Sequence, residues 1–122
     1  MSSVHQLLDR FTAAWNAHDV DALLACMTDD AVFWAAVGPA PHGAQARGTA
    51  SLREAYEAIW QTYPDAAWHD ATHIVSGDRA VTEWRFTGTR ADGTRVEVRG
   101  CDVFLIRNGR IAVKDTFRKQ AG

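Results

Sequence analysis

The sequence predicts an α+β fold, in which helices from the first half of the chain pack on a curved, mostly antiparallel sheet from the second half. Apolar residues recur at helical spacing as far as residue 63. Four strand-like segments follow, separated by hairpin turn signals at residues 76–78, 92–93 and 108–109. With 122 residues, 47% hydrophobic and 23% charged, the chain fits one domain spanning residues 1–122.

Three helices are predicted before residue 64. The first buries one face, formed by Val4, Leu7, Leu8, Phe11 and Trp15. Asp19 caps a short second helix that extends to about residue 27. The third helix begins at a capping box of Ser51 and Glu54, and Pro64 ends it.

The strands are predicted from apolar and β-branched runs between turn signals. One strand, residues 31–37, precedes the third helix, and a loop rich in proline and glycine follows it. The other four form an antiparallel meander over residues 67–75, 79–89, 95–107 and 110–119.

Composition excludes several classes of protein. The formal charge of −2 argues against a nucleic-acid-binding protein, and no apolar run is long enough to span a membrane. Residues 1–10 lack the apolar core of a signal peptide, so we expect a cytoplasmic protein. Cys26 and Cys101 are expected to be buried thiols. We expect no cofactor. We also expect no metal site, since His69 and His73 would lie about 13 Å apart on a strand and could not bind one metal ion together.

Two stretches carry a family resemblance. WNAHDVDALL at residues 15–24, followed by Asp29-Asp30-Ala31, and GCDVFLIRNGRI at residues 100–111 resemble the NTF2-like superfamily, in its SnoaL-like and ketosteroid-isomerase-like branch. The resemblance covers nearly the whole chain. It implies a cone-shaped sheet wrapped around the helices (the NTF2-like or cystatin-like fold), with a pocket for a hydrophobic small molecule at the open end. Isomerases, polyketide cyclases, epoxide hydrolases and proteins without known activity share this fold, so fold alone does not fix function.

The resemblance to ketosteroid isomerases carries over residue by residue. Their oxyanion-hole aspartic acid matches Asp102, and a supporting tyrosine matches Tyr56. Their oxyanion-hole tyrosine is replaced by Phe11 and their aspartate base by Ala35. A steroid isomerase is therefore excluded as the specific activity. Trp15 lies on the helix face that lines the pocket in this family.

Limonene-type epoxide hydrolases, which share the fold, use an arginine and an aspartate two residues apart on one strand. Here Arg99 and Asp102 are three residues apart, so they should point to opposite sheet faces unless Gly100 forms a bulge.

The turns also predict which side chains meet. A two-residue Asn108-Gly109 turn pairs Arg107 with Arg110 and places Asp102 opposite Asp115. A two-residue turn at residues 92–93 places Asp102 opposite Glu83, with Arg85 diagonal to it. We therefore assign acid–base catalysis to Asp102 and Asp115, with Arg85 orienting one of them. The predicted ligand-binding residues are Phe11, Trp15, Ala35, Tyr56, Glu83, Phe104 and Phe117.

Two alternatives remain open at this level. A three-residue loop at residues 107–109 would place Asp102 opposite Lys114 in a structural salt bridge. The same fold would also serve a ligand-binding or dimerisation module without catalysis, instead of a cofactor-independent isomerase, cyclase or hydrolase.

His42, in the loop after the first strand, is a candidate second acid–base group at the pocket mouth.

The outer sheet face is predicted to be too apolar to face water. A homodimer formed through this face is therefore expected, with no nucleic-acid or membrane partner. The residues assigned to the face are Thr82, Trp84, Phe86, Cys101, Val103 and Leu105.

Overall fold

The computed structural model describes residues 3–120 and confirms the α+β class. Three helices and six strands follow one another in the chain. They are α1 (Val4–Ala17), α2 (Val20–Ala25), β1 (Met27–Trp34), β2 (Gln45–Arg47), α3 (Thr49–Thr62), β3 (Ala67–Ser76), β4 (Arg79–Thr89), β5 (Arg95–Arg107) and β6 (Arg110–Arg118).

The helix starts are set by local hydrogen bonds. Helix α1 has a capping box in which Ser3 Oγ accepts from the Gln6 amide and Gln6 Oε1 accepts from the Ser3 amide. Asp19 caps α2, as predicted, by accepting a hydrogen bond from the Ala22 amide at 3.1 Å. The capping box predicted at residues 51 and 54 is wrong, because α3 begins two residues earlier after Gly48 and has no side-chain cap.

The strands form one open sheet in the order β2-β1-β6-β5-β4-β3. Strands β1 and β6 are parallel, and every other neighbouring pair is antiparallel. The four strands of the second half lie where the sequence predicts them. Strand β1 begins four residues before its predicted start, and β2 was not predicted because three residues carry too little pattern.

The helices cover one face of the sheet, which we call the inner face, and the main core lies between them. Its members are apolar side chains from all three helices and from β1, β4, β5 and β6. Completely buried examples include Leu8, Leu23, Leu52, Phe104 and Ile111. Among residues 3–120, no helix is both long and apolar enough to cross a membrane.

The β4–β5 turn differs from the predicted two-residue turn. The Arg90 amide donates to the Thr94 carbonyl at 2.9 Å, so three residues, 91–93, form the loop. Its last residue, Gly93, has φ +87°, as such loops require. The register therefore shifts by one residue, and Asp102 lies opposite Thr82. The predicted pairing with Glu83 is wrong, and every β4 side chain points to the face opposite to the one predicted.

The β5–β6 hairpin begins as predicted, with Arg107 opposite Arg110. The ladder then shifts, because Ala112 is an extra residue between the Ile106–Ile111 and Leu105–Val113 pairs. Beyond this bulge Asp102 lies opposite Thr116. The predicted pairing of Asp102 with Asp115 is wrong, and Asp115 points to the outer sheet face.

Candidate functional site

A buried group of four polar side chains, the Asp102 cluster, lies on the inner sheet face. Asp102 Oδ1 accepts hydrogen bonds from Lys114 Nζ at 2.9 Å and from Thr116 Oγ1 at 2.6 Å. Asp102 Oδ2 accepts from Trp84 Nε1 at 3.0 Å. Lys114 Nζ also donates to Thr116 Oγ1 at 2.7 Å. The cluster brings a cation and an anion together away from water, with the carboxylate held by three donors.

The Lys114 ammonium is surrounded by aromatic rings as well as by oxygens. Its nitrogen lies 4.7 Å from the ring centroid of Phe33 and 5.2 Å from that of Trp15. Both distances are within the range of cation–π contacts. An ammonium has three N–H bonds, and the described residues accept hydrogen bonds from two of them. Among residues 3–120, the third N–H has no oxygen acceptor.

An apolar cavity of about 330 Å³, the inner cavity, opens beside this ammonium. Lys114 and Thr116 line it on the sheet side, and Ala55 and Ile59 line it on the α3 side. Aromatic side chains form much of the remaining wall, namely Trp15, Phe33, Tyr63, Trp68 and Trp84. Apolar walls with a few polar groups are typical of small-molecule sites.

A smaller space of about 20 Å³ lies deeper, where Asp102, Lys114 and Trp15 meet Phe11 and Phe104. Trp15 lines both spaces, and its buried indole N–H has no acceptor among the described residues. Buried donors are nearly always satisfied. The indole N–H of Trp60 is also buried without an acceptor among the described residues, but Trp60 does not line either space.

Arg118 follows Lys114 and Thr116 on the same side of β6 and lines the inner cavity farther along the strand. Its guanidinium carbon lies 5.2 Å from the ring centroid of the buried Phe86. In the part of the chain that the structure describes, no carboxylate pairs with it.

Asp115 and Glu83, which the sequence predicts opposite Asp102, instead line an open groove of about 860 Å³ on the outer sheet face. The predicted ligand-binding residue Phe117 also lines this groove and is 53% exposed. Burial and the nearby Asp102 carboxylate raise the pKa of Asp115, and His42 and Lys114 oppose that rise. His42 itself lies in the groove wall.

The structure does not bring together the three predicted catalytic residues. Arg85 points outward and pairs with Glu97 at 2.8 Å and with Asp70 at 3.4 Å, and these side chains are exposed to solvent. Only Asp102 reaches the helix-covered face. Among residues 3–120, no three or more His, Cys, Asp or Glu side chains are grouped to hold a metal ion.

The other predicted ligand-binding residues lie on the inner side. Trp15 and Ala35 line the inner cavity, and Phe11 and Phe104 line the smaller space beneath it. Tyr56 is completely buried beside Trp15, and its hydroxyl donates to Met27 Sδ at 3.3 Å. Burial and the Asp102 charge raise the pKa of Tyr56 far above its ordinary value.

Comparison with known proteins supplies the family. Residues 8–114 match the profile of the SnoaL-like domain. The chain belongs to the SnoaL-like domain family. A search of the curated proteins found no significant match.

Solved structures place this SnoaL-like domain in the NTF2-like fold. An NTF2-like protein of unknown function from Mesorhizobium loti is 30% identical, with 96% of this chain and 91% of that chain covered and a TM-score of 0.76. A candidate polyketide cyclase from Xanthomonas campestris pv. campestris is 21% identical, with 93% of this chain and 88% of that chain covered and a TM-score of 0.83. TerC, co-crystallised with polyporic acid, is 18% identical, with 97% of this chain and 92% of that chain covered and a TM-score of 0.82.

Four residues of this candidate site were not predicted as site residues from the sequence: Trp84, Lys114, Thr116 and Arg118. A signal for three of them was present, since Lys114, Thr116 and Arg118 alternate along β6 with outward residues. The salt bridge of Lys114 with Asp102 was predicted only as an alternative. It forms through the Ala112 bulge and not through the three-residue loop that the alternative assumed.

Proposed function

We propose that the protein binds a hydrophobic small molecule in the inner cavity and holds one of its oxygens against Lys114. The observation that carries this proposal is the buried Asp102–Lys114 pair in the wall of an aromatic-lined cavity. The third N–H of Lys114 and the unpartnered indole N–H of Trp15 are the two donors for that oxygen. A carbonyl oxygen suits such donors, because it accepts two hydrogen bonds.

The reaction that this arrangement favours is cofactor-independent chemistry at a carbonyl, as in an isomerase or a cyclase. Negative charge develops on the carbonyl oxygen when an adjacent carbon gives its proton to solvent water, and preorganised donors at that oxygen stabilise the resulting enolate. Lys114 is the donor that stabilises this charge. Asp102, held by three hydrogen bonds, is a positioning residue that keeps the ammonium in place. The candidate cyclase from Xanthomonas and TerC with its ligand support the proposal only as proteins of the same fold.

The proposal is tested with 1-phenylbutane-1,3-dione, an apolar diketone whose enolate has its own ultraviolet absorption. We expect binding to lower the apparent pKa of the diketone by about 1 unit, since a hydrogen bond from a charged donor contributes about 1.5–3 kcal/mol. The double variant Asp102→Asn/Lys114→Met removes both charges and avoids an unpaired buried ion. It should bind the diketone without the pKa shift.

Arg110→Gln is the matched control, because it removes a charge from the same strand at the exposed hairpin. It should behave as the wild type. If the wild type binds the diketone without shifting its pKa, the catalytic role of Lys114 is wrong and a ligand-binding module without catalysis is favoured. If the diketone does not bind, the inner cavity is not the site.

The second element of the proposal is a homodimer formed through the outer sheet face. The side chains of β4 occupy the opposite faces to those predicted. Trp84 and Phe86 therefore face the helices, and β4 contributes only Val81 to the apolar part of the outer face. Its members are Ile74, Val81, Cys101, Val103, Leu105, Val113 and Phe117. Half-buried and exposed apolar side chains on one face favour a partner surface.

Light scattering tests the dimer. We expect a mass of twice the 13.4 kDa protomer at micromolar concentration, and a single protomer mass for Val103→Glu. The control Ala50→Glu adds the same charge to an exposed position of α3 and should stay dimeric. A monomeric wild type would contradict the proposal.

The cytoplasmic location expected from the sequence stays a prediction.

A further inference from the structure

We propose that the ligand of the inner cavity is an acid: a planar apolar molecule whose carboxylate is bound by Arg118 and whose opposite end carries the oxygen held by Lys114. This inference rests on the proposed binding function and adds the chemical class of the ligand.

Arg118 is available for an anion. Its guanidinium packs on the ring of Phe86, which is 1% exposed, so the charge is held at the cavity wall and not in free solvent. No acidic side chain among residues 3–120 lies within ion-pair distance of it. Exposed arginines such as Arg79 and Arg110 also lack such a partner, but Arg118 differs from them because it lines the inner cavity. A guanidinium binds carboxylates in a bidentate geometry, which gives this position selectivity for planar acids.

The charge balance of the cavity points the same way. The cavity wall contains two cations, Lys114 and Arg118. Asp102 neutralises Lys114, and it is the acidic group nearest to the cavity floor. Arg118 also lines the outer groove, as Glu83 and Asp115 do, but neither carboxylate lies within ion-pair distance of it. An uncharged ligand would leave one positive charge uncompensated in the wall, whereas a monoanionic ligand would balance it.

The spacing of the two cations limits the length of the ligand. Lys114 and Arg118 are four residues apart on β6, which corresponds to about 13 Å along a strand. Both side chains reach into a cavity of about 330 Å³, which suits a molecule of roughly two fused rings. A molecule with an oxygen at one end and a carboxylate at the other would reach both cations.

Calorimetric titration with 6-hydroxy-2-naphthoate and with its neutral analogue 6-hydroxy-2-naphthamide tests the inference. The two probes have the same ring system and the same hydroxyl group and differ in charge at the other end. We expect the wild type to bind the acid about tenfold more tightly, the size of one charge-assisted contact at a half-buried site. Arg118→Gln should lose that preference and keep its affinity for the amide. Arg110→Gln, the same change at the exposed end of the strand, should keep the preference.

The outcomes separate this inference from the function it rests on. Equal affinity of the wild type for both probes would overturn the acid inference and leave the apolar binding site intact. A preference that survives Arg118→Gln would also overturn it, because another cation would then bind the carboxylate. Binding of neither probe would overturn both proposals. Arg118→Lys keeps the charge and should retain part of the preference, which guards against a folding defect in the Gln variant.

Discussion

Lys114 Nζ lies 2.9 Å from Asp102 Oδ1, and the two side chains are only 6% and 8% exposed. The pair joins the neighbouring strands β5 and β6 on the inner sheet face, beside the aromatic-lined inner cavity. A buried ion pair contributes little to stability compared with a well-packed apolar pair, but breaking it leaves one charge without a partner. The pair therefore makes the site sensitive to single substitutions.

We predict that Asp102→Asn lowers the free energy of unfolding by about 3–5 kcal/mol, because it leaves the Lys114 ammonium buried without a counter-charge. Urea denaturation measures the loss. The double variant Asp102→Asn/Lys114→Met should recover part of it, since neither buried charge remains. A single variant as stable as the wild type would mean that the pair is open to solvent.

We predict that Gly100→Ala disturbs the same cluster from the backbone. Gly100 lies directly opposite Trp84, and a Cβ there would be 2.5 Å from the Trp84 ring and from the Phe117 carbonyl. The indole must move, and its hydrogen bond to Asp102 weakens. Overpacking of this kind costs about 1–3 kcal/mol, measured by urea denaturation together with the indole N–H shift of Trp84 in NMR.

The control for this prediction is Arg99→Ala, on the exposed face one residue away, which should change stability by less than about 0.5 kcal/mol. If Gly100→Ala leaves both stability and the Trp84 resonance unchanged, the backbone adjusts at this position and the cluster does not depend on glycine.

The sequence determines the fold more completely than the site. Helical periodicity and turn residues locate three helices and five of the six strands, all but β2, since these signals are local. The site depends on which of two alternating faces each side chain occupies, and a shift of one residue reverses that assignment. The three-residue loop ending at Gly93 and the bulge at Ala112 each introduce such a shift.

Asp102 itself is assigned correctly to the inner face, because the family resemblance fixes it independently of either turn. The residues predicted to lie opposite Asp102 are wrong, because the pairing of β5 with β4 and with β6 differs by one residue from the prediction. Asp115 and Glu83 are exchanged for their neighbours Thr116 and Thr82 as the residues opposite Asp102. The bulge has no clear sequence signal, since Ala112 is an ordinary strand residue in an apolar run.

We predict that Asp115→Asn stabilises the fold at neutral pH and has less effect in acid. Burial and the Asp102 charge raise the pKa of Asp115 in the folded state, so the folded protein binds more protons than the unfolded chain between the ordinary and the raised pKa. Stability therefore falls as the pH rises through this interval and stays lower above it. Urea denaturation between pH 3 and pH 7 should show the variant gaining stability over the wild type as pH rises.

Asp65→Asn provides a comparison of opposite sign. Hydrogen bonds from the Thr89 hydroxyl and amide lower the pKa of Asp65 in the folded state. The Asp65 carboxylate therefore stabilises the fold above the ordinary carboxyl pKa, and this stabilisation is lost as the pH falls through the lowered pKa. This variant should lose stability at neutral pH relative to the wild type. If Asp115→Asn behaves in the same way as Asp65→Asn, the assignment of a raised pKa to Asp115 is wrong.

We predict that Ala55→Leu separates stability from binding. Ala55 lines the inner cavity from α3 and packs against the core, so a larger side chain fills part of the space a ligand would occupy. Filling a cavity typically adds about 0.5–2 kcal/mol, seen as a higher urea midpoint, and 6-hydroxy-2-naphthoate should no longer bind. Ala50→Leu, exposed at the start of the same helix, should leave binding unchanged. Undiminished binding by Ala55→Leu would place the ligand outside the inner cavity, and the outer groove would become the site to test.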